Sequence, residues 1–508
     1  MGWRLDGRLP SARISRFPPA IRSRRKKPHE HPTPEDAAQH LDAAVNGLKR
    51  RYPELSAGEP VWLRQKCWLA ALAVAGIACA SVSIPGTIFA LFALMALPFS
   101  CVIAVKLAAL WHVATASRPP DPPADLHPHA LPRYSLLIPL FNEADVVPDL
   151  LAALDRLDYP RDRLEILLIL EQDDHATRAA IQSRVLLPHM SVVVVPAGQP
   201  QTKPRALNYA FARATGDVIV VYDAEDLPDP DQLRRASARL LADPGIGCLQ
   251  ARLHILNDRE NWLTRQFAIE YAALFDATLP ALQRLGLPLP LGGTSNHFPR
   301  RGLDEVGAWD PFNVTEDADL GIRLARRGYR VEVLPSTTWE EAPVSLRAWR
   351  NQRTRWLKGW MQTYLVHMRR PMTTARELGW FRFLGVQVLM GGLILSALVH
   401  PWFYAAVVWA ALAGPNAAFA FDLSSPVAIV GLSNLVLGYV TGIALGAVAA
   451  GRKRRNLIRA SLGMPIYWML ISLAAYRALF HLIRKPYRWE KTPHRPRNAF
   501  TTPGLTSA

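Results

Sequence analysis

The chain has 508 residues, 50% of them hydrophobic and 20% charged, with a slightly positive mean hydropathy. That balance excludes a disordered or fibrous protein and leaves room for more than one folded unit. Lys and Arg exceed Asp and Glu by 17, and cationic excess attracts phosphate, but the basic clusters flank apolar runs and lack interleaved aromatic residues. They read as membrane anchoring, and no nucleic-acid partner is expected. Cys67, Cys79, Cys101 and Cys248 show no C-x-x-C spacing and no G-x-x-x-x-G-K-[ST] segment is present, which argues against a zinc site, a disulfide framework and a P-loop ATPase.

Nine of the first 27 residues are Lys or Arg and one is an acid. They lie too far from an apolar run for a cleavable signal, so residues 1–60 are expected to be a basic tail kept in the cytoplasm. Positions 67–105 form 39 residues without Asp, Glu, Lys or Arg, with Pro85-Gly86 near the middle. One crossing helix needs about 20, so a transmembrane hairpin is expected over 65–113, followed by a stiff Pro-rich linker at 119–123.

Residues 125–375 have ordinary soluble composition, enough for one α/β domain. Runs at 134–140, 164–170, 191–196 and 217–222 read as strands, with helical patterns up to 154 and over 204–214, so a mainly parallel sheet covered on both faces is predicted. Ligands bind beyond the carboxyl ends of such strands. Those ends carry Phe141-Asn142-Glu143, then Glu171, Asp173 and Asp174, then Asp223-Ala224-Glu225-Asp226. Hard carboxylate oxygens at the last of these suit Mg²⁺ or Mn²⁺ against a diphosphate; the alternative is a polar turn. Gly292-Gly293-Thr294-Ser295-Asn296-His297 suits close approach of a ligand or an ordinary loop, with His297 expected as a structural hydrogen-bonding residue. Thr315-Glu316-Asp317 opens a short helix stopped at Gly328, its acids placed for the helix dipole or for chemistry. A helix opening near Ser345 carries Gln352, Arg355 and Trp356 on one face. Trp349 and Trp360 on the same helix suit an interfacial role.

Positions 383–450 contain no Lys or Arg and one acid, Asp422, with breaks expected at His400-Pro401 and Gly414-Pro415. Arg452-Lys453-Arg454-Arg455 marks a cytoplasmic segment, so an even number of crossings with an outer loop around 415–426 is expected. Segment 462–483 is followed by Arg484-Lys485-Pro486, so both flanks look cytoplasmic. One simple crossing fails that parity, which leaves a hairpin, a re-entrant pair or an interfacial helix. Residues 380–484 are thus a transmembrane and interfacial region, and 485–508 a basic cytoplasmic tail.

The order and spacing of Ile138-Pro139-Leu140-Phe141-Asn142-Glu143, Lys203-Pro204-Arg205-Ala206-Leu207-Asn208, Asp223-Ala224-Glu225-Asp226, Thr315-Glu316-Asp317 and Gln352-Arg353-Thr354-Arg355-Trp356 resemble the membrane-embedded family 2 glycosyltransferases, similar to cellulose and hyaluronan synthases. The resemblance implies an α/β GT-A domain, Rossmann-like, in the cytoplasm, combined with a multi-pass α-helical transmembrane region. It implies an inverting, metal-dependent transfer from a nucleotide-sugar, a UDP-sugar by preference, to a growing β-linked polysaccharide; the alternatives are a single transfer to a lipid carrier and a non-enzymatic scaffold or channel. Asp317 would be the base. Phe141, Glu143, Asp173, Lys203, Asp223, Gln352 and Arg355 would hold the nucleotide and diphosphate, with the choice among Glu171, Asp173 and Asp174 uncertain in register. Trp356, Gly293 and Thr294 would meet the acceptor. Asp223 would bind Mg²⁺ or Mn²⁺ with Glu225 or Asp226, since Glu225 replaces the second Asp of the family's Asp-x-Asp. Trp489-Glu490-Lys491-Thr492-Pro493-His494 resembles a gating loop over the nucleotide; a disordered tail is the alternative. Expected partners are the donor, a glycan or lipid-linked acceptor, membrane lipids and, for an exported polymer, export machinery.

Overall fold

The structure, a computed structural model, describes residues 34–115, 127–413, 426–451, 455–487 and 495. The first 33 residues, the Pro-rich linker, most of the expected outer loop, basic residues 452–454 and the expected gating segment lie outside the described residues.

In chain order the N-terminal part holds helices α1 (Pro34–Arg51), α2 (Leu63–Val82) and α3 (Ile84–Thr115). The central domain follows as β1 (Tyr134–Leu140), α4 (Val147–Asp155), β2 (Leu164–Glu171), α5 (His175–Gln182), β3 (Met190–Val195), α6 (Lys203–Phe211), β4 (Val218–Val221), β5 (Leu227–Pro228), α7 (Gln232–Ala242) and β6 (Ile246–Ile255). It continues with α8 (Trp262–Ala272), α9 (Leu279–Arg284), β7 (Asn296–Pro299), α10 (Arg300–Val306), α11 (Glu316–Arg326), β8 (Arg330–Glu340) and α12 (Leu346–His367). The C-terminal part is α13 (Pro371–Leu378), α14 (Trp380–Val386), α15 (Gly392–Ala413), α16 (Pro426–Ala449), α17 (Arg455–Ala460) and α18 (Met464–Arg484).

The sheet has the order β3-β2-β1-β4-β7-β6-β8-β5. Strands β3, β2, β1 and β4 are parallel, β6 pairs parallel with β8, and β7 and β5 run antiparallel to their neighbours. Strands β1 and β2 are almost wholly apolar because both their faces are covered. Leu150, Leu154, Ile181, Leu233 and Leu240 of α4, α5 and α7 pack on one face. Leu207, Phe211, Phe267, Leu303 and Leu320 of α6, α8, α10 and α11 pack on the other. The expected mainly parallel sheet is present, and all four expected strands fall at their sequence positions.

The expected tail does not extend to residue 60 as a free segment. Ala44 of α1 is buried in the core against α6, its carbonyl accepting from Asn208 Nδ2 at 3.0 Å. The Asp310 carboxylate accepts from Ala57 N–H at 2.5 Å and Ser56 Oγ at 3.2 Å, so residues 34–60 strap onto the central domain.

Five helical stretches among the described residues are long and apolar enough to cross a membrane: Leu63–Val82, Gly86–Thr115, Trp380–Trp402, Ile429–Ala449 and Leu457–Arg484. The hairpin turns at Ser83, while Pro85 sits in the first turn of α3, where its missing N–H is tolerated. The break expected at His400-Pro401 is absent: α15 runs through Pro401 as α3 runs through Pro98. A proline in an apolar helix is accommodated when neighbouring helices and local adjustment satisfy the freed carbonyl.

Segment 462–483 is neither a hairpin nor a re-entrant pair: from Met464 it is one unbroken helix, α18. It runs alongside α12 in the same direction. Trp349 Nε1 donates to Tyr467 O–H at 3.0 Å near one end, Arg477 donates to Asn351 Oδ1 at 2.8 Å, and Gln362 Nε2 donates to the Pro486 carbonyl at 3.1 Å at the other end. Ile466, Leu473, Phe480 and Ile483 remain exposed on α18. Trp349, expected to sit at the interface, is instead buried beneath this contact.

Candidate active site

The carboxyl ends of β1, β2, β4 and β8 and the face of α12 open on one cavity of about 830 Å³, within the range of ligand sites. Phe141, Glu143, Lys203, Asp223, Glu225, Gly293, Thr294, Asp317, Gln352, Arg355 and Trp356 all line it. Asp173 and Asp226 do not.

The β1 end is held by Asn142, whose φ of 53° places it in the left-handed region that Asn tolerates. Its N–H donates to Asp174 Oδ2 at 2.6 Å, and Asp174 Oδ1 caps α5 by accepting from Thr177 N–H at 3.1 Å. Asp174 is therefore a turn-forming residue. Glu171 lines the cavity, paired with buried Arg205, and burial pushes its carboxyl up to about 7 against the pull of Arg205. Asp173, expected at the nucleoside, accepts from Gln201 Nε2 at 3.0 Å beside the cavity.

After β4 the three acids separate. Asp223 Oδ1 accepts from Lys203 Nζ at 2.5 Å, and the same ammonium donates to the Gly293 carbonyl at 2.8 Å. Asp226 is buried; its Oδ2 accepts from Asp223 N–H at 2.7 Å and from the Thr294 hydroxyl. Thr294 thus locks this turn as well as lining the cavity. Burial, with Asp223, Glu340 and Glu143 as like charges, holds the Glu225 carboxyl well above its usual range, and burial with Asp223 and Glu225 does the same for Asp226. Among the described residues no three His, Cys, Asp or Glu side chains form a ready metal cage. The donor set nevertheless fits a hard divalent cation: Asp223 and Glu225 face the cavity, and their crowding with Glu340 and Glu143 is what a cation would relieve.

Asp317 lies in the first turn of α11, Oδ1 accepting from Ala318 N–H at 2.8 Å. A Cβ added at Gly293 would stand 3.4 Å from Asp317 Oδ2, so the glycine keeps that oxygen accessible from the cavity. Burial raises the Asp317 pKa, opposed by the Ala318 N–H, Lys203 and Arg355. Its neighbour Glu316 is pushed up to about 7 by burial and by Asp317. Burial opposes the charge on Lys203, but Asp223, Glu316 and Asp317 outweigh it and keep the ammonium protonated.

Helix α12 begins where expected, its Ser345 Oγ accepting from Ala348 N–H at 3.2 Å. Gln352 Oε1 is buried at the cavity with no hydrogen-bond partner. Burial lowers the Arg355 pKa while Glu316, Asp317 and Asp223 hold it up. Trp356 packs with Phe267 and Tyr271 at centroid distances of 6.0 and 6.4 Å, with the Arg353 guanidinium 4.6 Å over its ring. His297 is structural as expected, bonded to Tyr134 Oη at 2.8 Å through Nδ1 and kept neutral by burial, which pulls it down to about 3.

Sequence reading missed Glu340 and Glu341 at the end of β8, Glu270 and Tyr271 of α8, and Arg353, all of which line the cavity. The acids after β8 obey the same strand-end rule that found Asp223; Glu270 carried no sequence signal, because its role is set by the ion pair to Arg353 at 2.5 Å.

The family model described as "Glycosyltransferase like family 2" matches residues 132–359. The chain is similar to "Probable glycosyltransferase YdaM" of Bacillus subtilis, 31% identical over 232 residues, 45% of this chain and 55% of the relative. It is similar to the "Beta-monoglucosyldiacylglycerol synthase" of Synechocystis sp., 29% identical over 379 residues, 72% of this chain and 75% of the relative. It is also similar to the "Poly-beta-1,6-N-acetyl-D-glucosamine synthase" of Staphylococcus aureus, 26% identical over 253 residues, 50% of this chain and 60% of the relative. The chain thus spans little more than half the length of two of these relatives and three quarters of the third. The sheet, the acids at its strand ends and the matched segment agree: residues 132–359 form a domain that matches the family 2 glycosyltransferases.

Proposed function

We propose that this protein is an inverting glycosyltransferase that moves one sugar from a nucleotide-sugar, a UDP-sugar by preference, to the hydroxyl of a membrane lipid. The observation that carries this reading is that the cavity holding Asp317 continues without a break between α3, α15 and α16, where Met95, Phe99, Val102, Leu393 and Leu435 line it. A mainly apolar passage from the reacting groups into the membrane region offers acyl chains more contact than it offers a sugar chain. The relative named as a monoglucosyldiacylglycerol synthase matches over 379 residues, more than the central domain alone, which supports the same reading. Growth of a β-linked polysaccharide is the second reading, supported by Tyr271, Trp356, Tyr439 and Trp468 along the same cavity, on which sugars can stack.

In the proposed step the acceptor oxygen attacks the anomeric carbon, the bond from that carbon to the diphosphate oxygen breaks, and the leaving nucleoside diphosphate keeps the electron pair. The acceptor proton passes to Asp317, whose raised pKa suits a base working near neutrality. Lys203 and Arg355 stand ready for the departing diphosphate, Arg355 through a planar fork of donors. The buried, unpartnered Gln352 Oε1 offers an acceptor to a donor or sugar hydroxyl. Asp223 and Glu225 would hold Mg²⁺ or Mn²⁺, which when bound supplies positive charge against the diphosphate.

Because both ends of α18 are bonded to the catalytic domain, we read α18 as an interfacial helix with its exposed apolar side in the lipid, and the other four stretches as crossings. An even number of crossings puts both termini and the catalytic domain on the cytoplasmic side, where nucleotide-sugars are made. The test is incubation of the purified full chain in mixed micelles with radiolabelled nucleotide-sugars, Mg²⁺ and diacylglycerol. A chloroform-extractable product carrying one sugar is expected.

A further inference from the structure

One cation lies inside the membrane part of the cavity. Lys106 of α3 lines it, one turn from Ala109, which is buried against Ala277 and Ala281 of the catalytic domain. Nine residues separate Lys106 from the end of α3, about 13 Å along the axis, so the ammonium stands just beyond the contact between membrane helices and domain. Its Nζ donates to the Gly438 carbonyl at 3.1 Å and sits 5.4 Å from the centroid of the Trp468 ring. No carboxylate pairs with it among the described residues, and an ammonium has three N–H donors. Around it are neutral polar groups: Tyr439 Oη bonds His400 Nε2 at 2.7 Å and also meets the Tyr404 hydroxyl.

A charge in an apolar membrane cavity is expensive unless it meets a counter-charge, so an ionisable side chain there marks a site whose partner must be named. The domain-side membrane surface is where a lipid carries its phosphate, and from Lys106 the cavity runs one way toward Asp317 and the other way along Phe99 and Met95. Water alone would solvate the ammonium in a wholly polar channel, but Ile103, Val102, Leu389 and Leu435 share this stretch with the polar groups and give acyl chains a surface. We infer that Lys106 is the anion subsite of the cavity, binding the phosphate of a membrane lipid whose acyl chains lie between α3, α15 and α16. The inference rests on the lipid-acceptor reading and adds to it a preference for phosphate-bearing lipids, with diacylglycerol a more weakly bound acceptor.

The test is equilibrium binding of radiolabelled phosphatidic acid and of diacylglycerol with the same acyl chains to the full chain in detergent micelles, with inorganic phosphate as competitor. Wild type should bind phosphatidic acid at least tenfold more tightly than diacylglycerol. Lys106→Met should abolish that preference, Lys106→Arg should keep most of it, and millimolar inorganic phosphate should not displace the lipid. Equal binding of the two lipids by wild type, or an undiminished preference in Lys106→Met, would overturn the subsite. Displacement by inorganic phosphate would overturn its assignment to lipid. If Lys106→Met does not fold, Lys106→Gln is measured in its place, because Lys203 and Arg355 line the same cavity and only a variant at 106 singles out this ammonium. Product analysis is separate: polymer from a protein that still prefers phosphatidic acid would remove the lipid-acceptor reading and leave the subsite standing.

Discussion

Asp317 combines burial, one oxygen tied to Ala318 N–H and the other beside Gly293, which is what a fixed proton acceptor requires. Asp317→Asn should lower transfer about 10²–10⁴-fold while donor binding, followed by calorimetry with UDP, persists. Burial raises the Asp317 pKa, and the base acts ionised, so kcat/KM should fall as pH drops through a limb lying above the usual carboxylate range; the limb should vanish from the residual activity of Asp317→Asn. The three acids after β4 separate in the same way. Glu225→Ala should lose metal-dependent UDP binding. Asp226→Ala should instead lower stability, by about 1–3 kcal/mol, because Asp223 N–H and Thr294 Oγ lose their acceptor; urea unfolding measures it. The strand-end acids were legible because short apolar runs ending in carboxylates are visible in sequence. Which acid enters the cavity was not, since that depends on a hydroxyl 68 residues away.

At the scale of elements, α12 and α18 form one layer between the catalytic domain and the membrane helices. Arg353 joins them: it bonds Glu270 at 2.5 Å and Tyr467 Oη at 3.0 Å beneath the Trp356 ring. Arg353→Met should cost about 3 kcal/mol, near the lower end for breaking a buried pair because Glu270 keeps 28% of its side chain exposed; thermal unfolding in detergent reads it. The start of α12 was readable from Ser345, and β1 to β4 from their apolar runs. Strands β6 and β8 were not read, because Gln250, Arg252 and His254 interrupt the first and the second draws its place from pairing with it. The form of α18 was undecidable from charge parity alone; its pairing with α12 is a tertiary fact.

For the molecule as a whole, the cavity joins the charges at the strand ends to a mainly apolar passage, and the four crossings proposed above would keep α1 and Lys485 on the side of the central domain. Single cysteines in a background lacking the native four, at Glu35 and at Lys485, should label with a membrane-impermeant maleimide in inverted but not right-side-out vesicles; opposite labelling of the two would make α18 a crossing. The central claim is that the sugar goes to a lipid once. The most direct measurement is to supply the purified full chain with a radiolabelled UDP-sugar, Mg²⁺ and a lipid acceptor, and then to partition and size the product. A single-sugar species in the chloroform phase is the predicted result, and a water-soluble ladder of sugars made without any lipid acceptor would contradict it.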